Sequence, residues 1–140
     1  MSKLKLVLFL FVGFLTSLCW SQEKFLEVSI SPQDFGGNQI KDHEVIVTTL
    51  EGISFIINTE KKHTSFYLPP GEKYNVAVEK EGFHTYYYSI DLRDVPKELY
   101  KDGKQEIALF PSLYPKESDE PIPLIKYEYN DRYKKVALAQ

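Results

Sequence analysis

Residues 68–92 read "LPPGEKYNVAVEKEGFHTYYYSIDL", and this stretch decides the fold. Pro70 fixes its own φ and Gly71 is free to take a positive one, so "PPG" turns the chain. The residues after it alternate with period two, Tyr74, Val76 and Val78 against Asn75, Ala77 and Glu79. That is the pattern of a strand with one face buried. Glu81-Gly82 then suits a tight turn with Gly82 in the left-handed region. Alternation resumes with Tyr86, Tyr88, Ile90 and Leu92 against Thr85, Tyr87, Ser89 and Asp91. The stretch therefore predicts two antiparallel strands, with Tyr86 and Tyr88 inward and Tyr87 outward.

Working outward, the same period recurs on both sides. Leu26, Val28 and Ile30 share a face, as do Val45 and Val47. Ile53, Phe55 and Ile57 do so, then Phe66 and Leu68, then Ile107 and Leu109. Breaker-rich segments separate these runs at 31–39, 50–52, 59–64 and 94–104, the last with room for one helical turn. Seven short strands with regular turns predict an all-β, immunoglobulin- or transthyretin-like sandwich over residues 22–110. Residues 111–123 hold four prolines and a cluster of acids, which predicts an extended, poorly ordered linker. An alternating aromatic tail follows to residue 140. It is expected as an edge strand or as a free segment awaiting a partner.

The run from Glu44 to Leu92 resembles the carboxypeptidase-regulatory-like and PEGA-type modules. The residues that carry the likeness are Pro70, Gly71, Tyr74, Val76, Val78, Lys80, Gly82 and Phe83. The resemblance implies a seven-stranded sandwich that serves envelope proteins as an accessory or adhesive module, with no catalytic residues. The module's usual opening, with its proline and alanine, is replaced here by "IKDHEVIV" at 40–47. The whole chain also looks like the small secreted envelope proteins of Bacteroidetes-type bacteria.

The N-terminus reads as a signal peptide over residues 1–21: Lys3 and Lys5, an apolar run from Leu6 to Leu15 broken only by Gly13, then Cys19 and Ser21 before a cut at Gln22. The run is short of the roughly 20 residues that span a bilayer. Leu18 stands where a lipoprotein needs a small residue, which argues against lipidation at Cys19. The expected location is periplasmic or extracellular, with no integral membrane segment left after cleavage. Cleavage removes the only cysteine and leaves 119 residues, 15 basic against 20 acidic, a net charge of −5. A balance of that sign argues against nucleic acid.

Signatures of catalysis are missing from the sequence. His43, His63 and His84 lie too far apart for a zinc pair and are expected to be exposed. "QDFGG" at 33–37 lacks every other kinase element. Paired acids such as Asp91 with Asp94 sit in no apolar run that would raise a pKa. No enzyme activity, cofactor or metal is therefore expected. The chain's ten tyrosines are the unusual feature. Tyr67 and Tyr87 are expected on paired strands as an aromatic platform, and Tyr127, Tyr129 and Tyr133 in the tail as partner contacts. The resulting expectation is a non-enzymatic envelope module that binds an envelope protein through its tail. A glycan-binding face at Tyr67 and Tyr87 is the alternative.

Overall fold

A computed structural model describes residues 24–102 and 105–140. The expected signal peptide lies outside the described residues. The elements are β1 (Leu26–Ile30), β2 (His43–Thr49), β3 (Ser54–Thr59), β4 (Thr64–Leu68), β5 (Lys73–Glu79), β6 (Tyr86–Asp91), α1 (Leu99–Asp102), β7 (Gln105–Leu109), β8 (Ile125–Asn130) and β9 (Lys135–Leu138). They form two mixed sheets, one ordered β4-β1-β7 and the other β3-β2-β5-β6-β8-β9.

All seven expected strands are present, and the count of seven is corrected to nine by β8 and β9. Inward residues of both sheets share one core: Leu26, Val28 and Ile30 of β1 and Leu68 of β4 meet Val45, Val47, Val76, Val78 and Ile90. Burying each such side chain contributes about 1.5–3 kcal/mol. Chain entropy opposes this, so the alternation must hold strand after strand.

Turn chemistry sets the register of β5 and β6. Gly71 has φ 90° and Gly82 has φ 86°. The Gly71 amide donates to the Leu92 carbonyl at 2.9 Å, and the Leu92 amide returns a bond to Glu72 at 2.9 Å. Pro70 lies between Gly71 and Pro69, whose carbonyl accepts the Tyr74 hydroxyl at 2.8 Å. At the other end, the Phe83 amide closes onto Lys80 at 3.0 Å.

The segment expected as a loose linker is tied down. Pro111 and Leu113 are buried. The Leu113 amide bonds Gln33, the His84 amide bonds Tyr114, and the Lys116 amide bonds Gly82. The tail does not hang free either. β8 runs parallel to β6, pairing Tyr88 with Ile125 and Ile90 with Tyr127. β9 folds back on β8, and its Val136 enters the core. Proline content predicted disorder, but prolines can still be anchored through their carbonyls, as Pro111 is by the Gln33 amide, and through the amides of the residues between them.

The margins of the two sheets differ. On one side the Gln105 side chain of β7 grips the backbone of β9. Its amide nitrogen donates to the Val136 carbonyl at 2.6 Å, and its oxygen accepts the Val136 amide at 2.7 Å. On the other side β4 bonds across the interior to β2, where the Thr64 hydroxyl meets His43 Nε2 at 2.9 Å. β3 projects beyond that contact. Phe55 on its core side and Ile53 just before it are consequently exposed, at 42% and 61%.

Candidate functional site

Strand register assembles a row of apolar side chains on the outer face of the six-stranded sheet. Ile46 pairs with Ile56 across β2 and β3. Ile46 also pairs with Ala77 across β2 and β5. Ala77 pairs with Tyr87 across β5 and β6. Each is out of phase with the core residues beside it, so the four share the outward face. At the strand spacing the row spans about 15 Å. Leu124, one residue before the Ile125 partner of Tyr88, extends the row beyond Tyr87. Ile56, Tyr87 and Leu124 are 58%, 51% and 54% exposed.

The row ends in a hollow. Tyr87, Ile122, Pro123, Leu124 and Asn75 line a shallow cavity of about 280 Å³. Rows of different character flank the apolar one. On one side Ser54, Thr48, Asn75 and Ser89 follow the same registers. Within that row the Thr48 and Ser54 hydroxyls share a hydrogen bond of 2.9 Å. On the other side lie Asn58, Glu44 and Glu79. The acidic side continues into a cleft of about 840 Å³ at the end of the sandwich, where Asp42, Glu60 and Glu81 join Glu44 and Glu79 against Lys80 and Lys116. An apolar centre with a polar rim, uncharged on one side and acidic on the other, is the anatomy of a protein contact surface.

The expected site residues separate. Tyr87 lies in the apolar row. Tyr67 does not: it sits on β4 in the other sheet, paired with Glu27. Its neighbours Phe66 and Leu68 are buried, as is Tyr88 beside Tyr87, so the two rings point away from a shared core in opposite directions. The expected two-ring platform on paired strands is thereby corrected. Tyr67 instead receives the Lys24 ammonium 5.2 Å from its ring centroid. Tyr127 and Tyr129 pack against the core from β8. The Tyr129 hydroxyl is buried without a hydrogen-bond partner. Tyr133 is exposed in the β8–β9 turn beneath Arg132.

Sequence reasoning missed Ile46, Ile56, Ala77 and Leu124. Each strand's outward residues were legible, but their alignment into one row depends on pairing between distant segments. The expectation of exposed histidines also fails at His43, which is 3% exposed. Its parity with Val45 and Val47 was the available signal. His43 Nδ1 faces the Ile40 carbonyl at 3.3 Å and Nε2 faces Thr64. Nδ1 therefore carries the hydrogen and donates, while Nε2 accepts from the Thr64 hydroxyl. Burial holds the imidazole below its ordinary 6.5, aided by Lys80 and His63 and opposed by the Ile40 carbonyl and Asp42.

Other charges are paired or sit on the surface. The Arg93 guanidinium, 2.8 Å from Asp91, holds that carboxyl below its usual range. Glu27 and Glu106 lie side by side on β1 and β7, and hydrogen bonding and repulsion from Glu27 push Glu106 upward. Among the described residues no group of three or more His, Cys, Asp or Glu side chains is placed to hold a metal ion. Nor is any helix among them long and apolar enough to cross a membrane.

No family model matches the chain, and no curated protein matches it. Among solved structures, the crystal structure of S.CueP aligns with a TM-score of 0.43 at 16% identity, over 67% of this chain and 64% of that one.

Proposed function

We propose that this protein is a non-enzymatic, exported module of the cell envelope that acts by protein–protein contact. The outer row Ile56–Ile46–Ala77–Tyr87–Leu124 is its contact surface. One observation carries the proposal: side chains from five separate segments are brought by register into a single apolar stripe, exposed at Ile56, Tyr87 and Leu124 and half-buried at Ile46 and Ala77. A contiguous apolar stripe rimmed by polar residues marks an interaction site. The resemblance of residues 44–92 to accessory envelope modules agrees with this role, and so does the leader-like N-terminus. The acidic side of the rim selects a partner with an apolar centre and basic residues along one flank. Capture through the tail is a weaker version, because β8 would first have to leave both of its neighbours in the sheet and β9 would have to withdraw Val136 from the core.

The test is crosslinking of the tagged protein in its host's envelope, with Tyr87→Glu and Leu124→Glu beside the wild type. Both residues are half-exposed, so both variants should keep the wild-type melting temperature. Expected is a reproducible protein partner, reduced at least tenfold by either substitution. A partner retained by both variants overturns the assignment of the surface. Binding to a polysaccharide that is lost with Tyr87→Glu, with no protein captured, replaces it with the glycan reading.

A further inference from the structure

β3 is an edge strand, and its free edge is open. The Thr49 amide donates to the Ile53 carbonyl at 2.9 Å, which fixes the alternation along the β2–β3 pair. Ile53, Phe55, Ile57 and Thr59 direct their backbone groups to β2. Ser54, Ile56 and Asn58 direct theirs outward. No hydrogen bond among the described residues reaches those outward groups. Edge strands are normally blunted by charge, proline or a bulge. Between Ile53 and Thr59 there is neither a charge nor a proline.

We propose that two copies of this chain pair antiparallel through β3, about a two-fold axis at Ile56. This goes beyond the contact proposed for the outer face, since it uses the strand edge and names the occupant. The outward groups are symmetric about Ile56. In that register Ser54 exchanges both backbone bonds with the partner's Asn58, and Ile56 with the partner's Ile56. The two ends of the strand are also complementary in charge. Glu51 lies in the turn before β3, and Glu60, Lys61 and Lys62, net positive, lie in the bend after it, so the dyad brings opposite charge together at each end. Side chains match on both faces. Phe55, left half-uncovered by the narrow sheet, comes beside the partner's Ile57. On the outer face Ile56 meets the partner's Ile56, so the two apolar rows join end to end into one.

Sedimentation of the purified protein across micromolar concentrations tests the pairing. Expected is a reversible dimer. Ser54→Pro removes two symmetry-related bonds at a position where an edge strand tolerates proline, and should weaken the dimer by about tenfold or more. Ile56→Lys, which puts like charges on the axis, keeps the test alive if the proline variant does not fold. Register is read by thiols. Ile56→Cys should form intermolecular disulfides under mild oxidation, because paired Cα atoms there lie about 5.5 Å apart. Ser54→Cys should not, because the dyad separates that residue from its own copy. A wild type that stays monomeric overturns the proposal, as do equal disulfide rates at the two positions. Tyr87→Glu should leave the dimer intact, so failure of the dimer and failure of the outer-face contact are distinguishable.

Discussion

At the residue scale, His43 is the most consequential side chain in the interior. It bridges two sheets from a position where a charged imidazolium would be costly. Folding favours its neutral form, so its pKa is lowered in the native state. The unfolded chain then binds more protons than the folded one below pH 6.5. Stability is full above that pH and declines as pH falls from it toward the lowered value. Urea titrations at pH 7.5 and pH 5.5 should show this loss in the wild type, and His43→Gln should remove most of the difference. An equal pH dependence in the variant would assign the effect to other groups. Thr64→Val at neutral pH isolates the partner and should cost about 1–2 kcal/mol by leaving Nε2 buried and unpaired.

Individual elements show where local rules suffice. Gly82 has positive φ, and a methyl group added to it would meet nothing within 4 Å, so Gly82→Ala tests backbone strain alone. It should cost about 1–2 kcal/mol in chemical denaturation with an unchanged slope. A neutral result would mean that the Lys80–Phe83 turn relaxes to another type. The β5–β6 pair was legible because alternation, proline and glycine all agree over one contiguous stretch. The same holds for β1 to β7 taken singly. Three features were not legible for a common reason. The separation of Tyr67 from Tyr87, the parallel docking of β8 beside β6, and the exposure of Phe55 at the margin all depend on which distant strand lies next to which. Period two tells a residue's face, but it is silent on the neighbour and on the width of the opposing sheet. The apolar row was hidden in the same way, since its members are scattered from Ile46 to Leu124.

For the molecule as a whole, the C-terminal strands belong to the structure rather than to an appendage. β8 supplies the neighbour of β6, and Val136 of β9 lies in the core under the grip of Gln105. Truncation before residue 121 should therefore abolish cooperative unfolding by circular dichroism. A truncated chain that still melts cooperatively near the wild-type temperature would show that β8 and β9 are dispensable. The clamp at Gln105 has a further consequence. It occupies both outward backbone groups of Val136 at the middle of the β9 margin of the six-stranded sheet, while no hydrogen bond among the described residues reaches those of β3. An incoming strand at β9 would first have to displace that side chain, whereas one at β3 displaces nothing. The six-stranded sheet is thus built to grow from one margin in preference to the other, which favours a closed pair over an open stack.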